Sequence, residues 1–410
     1  LVGTGVTIGV AGVATFRSGK IDVGDALYNV SVGEFAGDAH TTASYNVAVG
    51  KGALTDNTTG NYNTAVGRAL INNTTAQKNT AVGHNALYTN TTGADNIAVG
   101  VDALYTNNGD SNVAVGKDAL KLNTTGSYNI AIGAFSLDAN TTTGSNTAIG
   151  YESLTANTTG SKNVALGNNT LAANTTGAEG TAVGYNALAS NTTASYNVAV
   201  GEAALNANTT GDRNVAVGQN ALTSCDTHSA NVAIGFEAMK LNTANSNTAV
   251  GAYCLDANTT GGDVTAVGSA SLGANTTGGY NTAMGVSALG ANTTASYNSA
   301  FGSAALAANT TGAENTAVGY QALNDNTTAS YGTAVGYNAL EANTTGANNT
   351  AIGNDALLAN TTGASNTAVG YQSLGANTTA DENTSMGFQS LLLNTTGSKN
   401  VAVGAYALDA

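Results

Sequence analysis

Proline and tryptophan are missing from this 410-residue chain, and residues charged at neutral pH make up only 9% of it. What charge there is comes from eleven basic and twenty-five acidic residues, a net of -14 with no basic cluster. A phosphate backbone therefore has nothing to bind, and nucleic acid is not an expected partner. Two cysteines, Cys225 and Cys254, cannot build a disulfide framework, and their different phases in the repeat described below predict free thiols. No apolar run approaches the roughly 18 residues of a membrane span, so no membrane insertion is expected. The sequence opens on Leu1 without Met or a signal peptide, which reads as a piece of something longer.

Chemistry-bearing residues are scarce too. His40, His84 and His228 fall at unrelated phases of different repeats, so no triad or acid–base pair assembles from them, and no enzyme is expected. Cys225-Asp226-Thr227-His228 replaces a common turn, but it lacks metal-ligand spacing and reads as a variant turn. The calcium-binding nonapeptide G-G-x-G-x-D is absent, and the glycines are dispersed, with no phosphate loop. No catalytic residue, cofactor or metal ligand is expected.

What fills the chain is a repeat. The pentapeptide Asn63-Thr64-Ala65-Val66-Gly67 returns at Asn79, Asn96, Asn112, Asn129, Asn146 and Asn163 and onward to Asn400, usually 17 residues apart. Such a period means one unit stacked on copies of itself rather than a globule with one core. Residues 1–28 do not carry the repeat; their valines and isoleucines interleaved with Gly3, Gly5, Gly9 and Gly12 read as a β lead-in segment. From Asn29 to residue 410 the register holds, and about 23 coils of 16–17 residues are expected.

A typical coil, Asn79 to Asp95, reads N-T-A-V-G-H-N-A-L-Y-T-N-T-T-G-A-D. Counting Asn79 as position 1, the pentapeptide alternates like a short strand, with Thr80 and Val82 on one face and Ala81 on the other. Position 4 is always apolar (Val49, Ile132, Leu166, Met284, Phe301) and is expected to be interior. Position 3 is always Ala or Ser (Ala65, Ser31, Ser385), a place with little room. Gly at position 5 predicts positive φ or close backbone approach. Leu at position 9, as in Ala86-Leu87 or Ala119-Leu120, is expected to form an inward column opposite the valines. Asn90-Thr91-Thr92-Gly93 reads as a turn in which Asn and Gly take left-handed φ. The expected coil is strand, turn, strand, turn.

Three coils, those starting at Asn63, Asn96 and Asn231, are one residue short, and each loss falls where a turn is expected. Helical repeats fit poorly, since no ten residues lack a breaker and the apolar residues lack helical spacing. Each coil offers only two large apolar side chains to offset the ordering of 17 residues. Chains are therefore expected to associate, as a homotrimer whose backbones approach along the small third position.

The N-T-A-V-G-x-x-A-L motif resembles the N-S-V-A-I-G-x-x-S/A repeat in the heads of trimeric autotransporter adhesins. That resemblance implies a left-handed parallel β-roll assembled as a homotrimer. The longer form, with its N-T-T-G turn, as around Asn315-Thr316-Ala317-Val318-Gly319-Tyr320-Gln321-Ala322-Leu323, is similar to repeat arrays in the tail fibres of marine and cyanobacterial bacteriophages. The likeness covers residues 29–410, with 17 residues per coil and no neck or coiled-coil stalk.

The expected fold is thus an all-β, repetitive parallel β-solenoid. The expected function is a structural fibre, a phage tail fibre shaft or receptor-binding region in the virion, outside the cell. Alternatives are a trimeric adhesin on a bacterial surface and an ice-binding solenoid. Tyrosines before the pentapeptide (Tyr45, Tyr62, Tyr128, Tyr196, Tyr280, Tyr297, Tyr331) and after its glycine (Tyr151, Tyr185, Tyr320, Tyr337, Tyr371) fall at coil corners. The second set is the candidate surface-binding group, suited to stacking on a host surface glycan or meeting an outer-membrane component; packing over neighbouring turns is the plainer expectation. Asn-Thr-Thr sequons such as Asn57, Asn157, Asn275 and Asn394 are explained by turn preference without glycosylation.

Overall fold

The computed structural model describes residues 25–409. Among them are twenty-three strands of three residues each, from β1 (Val30–Val32) to β23 (Val401–Val403), and no helix. Each strand pairs in parallel with the next in the chain, and every Ala or Ser at position 3 faces its equivalent one coil on. The result is a parallel β-solenoid with one strand per coil. At about 4.8 Å per rung, the 22 steps between 23 strands span roughly 105 Å. The lead-in segment lies largely outside the described residues; Tyr28, at its end, already carries coil geometry, with φ of 64° and a ring stacked on Tyr45.

The short coils keep the register. β3 (Thr64–Val66) and β4 (Thr80–Val82) are 16 residues apart yet pair Ala65 with Ala81. In that coil Gly67 relaxes to φ 96° against 138° at Gly83, and no left-handed residue stands between Gly67 and Leu70. The deletion is absorbed after the glycine, outside the paired strand, at the cost of the one inter-coil bond that position 7 makes in its neighbours, such as Asn85 N–H to Arg68 O.

The strand faces the opposite way from the one expected. Ala48, Ala65 and Ala81 at position 3 are buried in their own coil, while position 4 looks out, with Leu166, Met284 and Phe301 all well exposed. The cavity is too narrow for two large columns. Leu54, Leu70, Leu87 and their successors fill it from the far side, so the strand opposite can offer only a methyl group. The leucine column is inward as expected, but it faces alanines rather than valines. The alanines are therefore not a surface for chain contact.

The second expected strand is also absent. Positions 8 and 9, such as Ala86 and Leu87, are both buried. Two adjacent residues of an extended strand point to opposite faces, so both can point inward only if the backbone bends. It bends by left-handed φ at position 7 (Asn85, 57°) and position 9 (Leu87, 49°), with another at position 17 (Asp95, 58°). Left-handed residues were expected at the Asn and Gly of N-T-T-G; instead they sit where a leucine must be turned into the core. Each costs on the order of 1–2 kcal/mol for a non-glycine residue, tolerated because inter-coil bonds fix the turn. Leu87 N–H, for example, donates to Ala103 O at 3.0 Å.

Position 5 behaves as expected. Gly235 has φ of 139°, and a Cβ there would come within 2.5 Å of the Gly251 carbonyl oxygen one coil on.

Two asparagine ladders complete the interior. At position 1, the Asn96 backbone N–H donates to Asn79 Oδ1 (2.9 Å), and Asn79 Nδ2 donates to the Gly93 carbonyl (2.9 Å). At position 12, Asn73 Nδ2 donates to Asn57 Oδ1 (2.8 Å) and Asn90 Nδ2 to Gly93 O (2.8 Å). These amides are buried, and apart from Asn208, whose oxygen is left without a partner, each finds donors and acceptors in its own and adjacent coils, as burial of polar groups requires. Asn57, Asn157 and Asn275 are thus ladder residues inside the coil, where no glycan can be attached in the folded chain.

Candidate functional site: the outer columns of the solenoid

With alanine, leucine and asparagine turned inward, the surface is left with three sets of columns. The first is the outer face of the sheet. Positions 2 and 4 carry Val198 and Val200, Val215 and Val217, then Val232 and Ile234 on successive rungs. The larger members, Ile132, Leu166, Met284, Phe301 and Met386, stand exposed. The column continues through all 23 strands. Position 2 alternates between such apolar residues and threonine, so the continuous apolar strip is the position-4 column, and a continuous exposed apolar strip is a feature of interaction surfaces.

The second set is aromatic. Tyr320 and Tyr337 stack at 5.4 Å between centroids, Tyr371 stacks on Phe388 at 5.3 Å, and Tyr151 meets Phe135 edge-on at 6.0 Å. Of the five candidate tyrosines, Tyr185 alone has no aromatic partner among the described residues. All five are exposed. Because the rings stack along the solenoid, each pair covers part of its own faces, and flat surface remains only where a ladder ends. Packing over adjacent coils therefore accounts for most of this set. At position 17, Tyr28, Tyr45 and Tyr62 form a run of three, and Tyr280 stacks on Tyr297.

The third set is polar. Threonines at position 13 donate their hydroxyls to the next coil, as Thr175 Oγ1 does to Thr192 O (3.0 Å). Acidic residues near positions 7, 10 and 11 crowd one corner. Burial raises the carboxyls of Asp138 and Asp256, and burial followed by repulsion from Asp325 and Asp355 raises Glu341. Lys121 lies 2.7 Å from Asp118 and is held above the usual lysine range by that bond.

The histidines and cysteines are dispersed. His40, His84 and His228 stand at positions 12, 6 and 15 of three separate coils. Burial lowers the His40 imidazole, with partial compensation from Asp25. Among the described residues no group of three His, Cys, Asp or Glu side chains could hold a metal ion. Cys225 replaces a ladder asparagine and Cys254 a core alanine; both are free, buried thiols, pushed up by that burial to about 11 and about 12. His228 Nδ1 lies 3.5 Å from Asp226 Oδ1, and the Cys225 thiol contacts the His228 carbonyl oxygen (3.4 Å), so this segment closes on itself as a variant turn.

The chain matches no protein-family model and no curated protein. No helix among the described residues is long and apolar enough to cross a membrane.

The exposed apolar sheet face is the feature sequence reasoning missed. Its signal was available: position 4 accepts Val, Ile, Leu, Met and Phe, whereas position 3 accepts only Ala and Ser. Tolerance of size marks an open side, and strict smallness marks a closed one.

Proposed function

We propose that the chain is a non-enzymatic structural fibre module that assembles as a homotrimer through the outer face of its sheet. The observation that carries this reading is the unbroken column at position 4, apolar on every rung and open to solvent in the single chain. A meagre interior of alanine, leucine and asparagine gives each coil little apolar burial of its own, and a second layer of burial on the valine face supplements it. The threefold arrangement and a left-handed coil rest on the resemblance to adhesin-head repeats. The resemblance to tail-fibre arrays favours a virion fibre outside the cell, projecting toward a host envelope. A bacterial surface adhesin is the alternative.

Light scattering at micromolar concentration tests the assembly. A particle of about 121 kDa, three times 40.2 kDa, is the expected result, and a monomer or dimer overturns it. Val183→Asp with Val200→Asp, on adjacent rungs, is expected to split the trimer, whereas Tyr185→Ser is not. The complete reading frame separates the two biological settings: a baseplate-binding region supports the virion, and an anchoring β-barrel supports the adhesin.

An ice-binding solenoid draws support from one observation. Thr316, Thr333, Thr350 and Thr367 lie on the outer sheet face on successive rungs rather than in turns. The neighbouring column varies from Val318 to Phe301 and Met386, which roughens the plane. Thermal hysteresis of the purified chain measures this directly.

A further inference from the structure

The position-17 column contains an arrangement that the fibre reading does not use. Tyr280 and Tyr297 stack at 5.1 Å with their planes 1° apart, so one face of Tyr297 is covered. On the next rung the same position is Glu314, and on the rung after that Tyr331. All three have the same left-handed backbone (φ 63°, 59° and 63°). Each bonds the preceding rung in the same way: Tyr297 N–H to Gly279 O, Glu314 N–H to Ser296 O, Tyr331 N–H to Ala313 O, at 3.2–3.3 Å. Their Cα–Cβ bonds are therefore parallel. Two rungs of about 4.8 Å set the tyrosines roughly 9.6 Å apart with a carboxylate between them. A shallow depression opens between Tyr297 and Glu314, and the two tyrosines are 60% and 57% exposed.

Elsewhere the chain covers such a ring with its own cation. Arg213 stands one rung beyond Tyr196 in this same column, 5.8 Å from the ring centroid; Arg68 lies over Tyr88 and Lys117 over Phe135. Around Glu314 no cation is available. Between Lys240 and Lys399 the sequence holds no Lys, Arg or His and eight carboxylates, a net of -8 over that stretch.

We propose that Tyr297, Glu314 and Tyr331 form a notch that binds an alkylammonium group, either a quaternary ammonium or a lysine-type primary ammonium. A cation seated on the solvent side of the carboxylate, about 3.5 Å beyond it, lies about 6 Å from each ring, at the edge of the reach of the ring quadrupoles, with the carboxylate supplying the opposite charge. A neutral sugar would stack on one ring and make no use of that charge, so the cation is the better match. The inference is independent of the fibre's identity.

The test uses the full chain labelled with 3-fluorotyrosine and observed by ¹⁹F resonance. Tetramethylammonium chloride and n-butylammonium chloride are titrated in parallel, with sodium chloride and methyl β-glucoside as controls. Two resonances, assigned through Tyr297→Phe and Tyr331→Phe, are expected to move saturably with an ammonium and not with sodium. Glu314→Gln is expected to weaken that response about threefold to fivefold, in the range of an exposed ion pair. Glu314 is exposed, so the variant melts with the parent chain and the loss reads as binding. Tighter response to tetramethylammonium identifies a quaternary amine as the source, and tighter response to butylammonium a lysyl side chain. Equal movement by sodium, uniform movement of all tyrosines, an unchanged Glu314→Gln response, or a larger effect of the glucoside on the same two resonances overturns the proposal.

Discussion

Asn208 Oδ1 is buried without a hydrogen-bond donor because Cys225 stands one coil on, where every intact ladder supplies a side-chain amide. One coil earlier the ladder is whole: Asn208 Nδ2 reaches Asn191 Oδ1 at 3.0 Å. Cys225→Asn is therefore expected to stabilise the chain by about 1–2 kcal/mol, by giving a buried acceptor its partner. Breaking an intact rung, Asn174→Ala, removes the donor to Asn157 Oδ1 and the acceptor for Asn191 Nδ2 and is expected to cost about 2–3 kcal/mol. Denaturant midpoints of both variants check the pair.

Two glycines of this chain should respond oppositely to the same substitution. Gly235→Ala places a methyl against the Gly251 carbonyl oxygen at a φ of 139° and is expected to destabilise by about 2 kcal/mol or more. Gly273→Ala meets its nearest atom at 3.4 Å, with no positive φ, in a position where Ala172 and Ala189 stand in other coils. That change is expected to be neutral or stabilising by up to about 1 kcal/mol. Thermal melts of the two variants should separate cleanly.

Acid should stabilise this fold before it harms it. Asp138, Asp256 and Glu341 have carboxyls raised by burial, so the folded chain binds protons at a pH where the unfolded chain does not. Their contribution grows as pH falls through the raised values and is complete below the ordinary carboxylate range. Asp25 runs the other way: its bonds to Asn29 lower it, and its contribution is lost as pH falls through that lowered value. A melting temperature higher at pH 4.5 than at pH 7, with the difference reduced in Asp138→Asn plus Asp256→Asn, is the expected outcome.

Both thiols should be silent in the folded state. Burial pushes Cys225 to about 11 and Cys254 to about 12, so little thiolate exists at pH 8 and neither sulfur is accessible. Ellman's reagent is expected to titrate no thiol in native buffer and two in 6 M guanidinium chloride. Rapid native reaction at either cysteine would show local opening of that coil.

The stacking direction, the number of rungs and the inward leucine column were readable because each depends on a period, and a period survives any error about a single residue. Orientation was harder. Val66 is more hydrophobic than Ala65, and the rule that larger apolar residues go inside assigned it to the core; the width of the cavity across from Leu70 decided otherwise. Asn90 reads as a turn residue, yet it is a fully buried rung of a ladder, because its amide is satisfied by the Gly93 carbonyl of its own coil and by Asn73 and Asn107 of the coils on either side. Such satisfaction is a property of the stack, invisible in any one repeat. The left-handed leucines were missed for the same reason: an isolated segment disfavours that backbone, and the inter-coil bond from Leu87 N–H to Ala103 O, with burial of the side chain, holds it.

Every strand bond described above joins residues 16 or 17 apart, whatever their place along the rod. Loop-closure entropy is then the same for the twentieth rung as for the second, so folding difficulty does not grow with reach. Adding or removing a whole repeat leaves the backbone pairing of every other rung unchanged and shifts the tip by the height of one strand. Span in this molecule is thus quantised in small, equal steps.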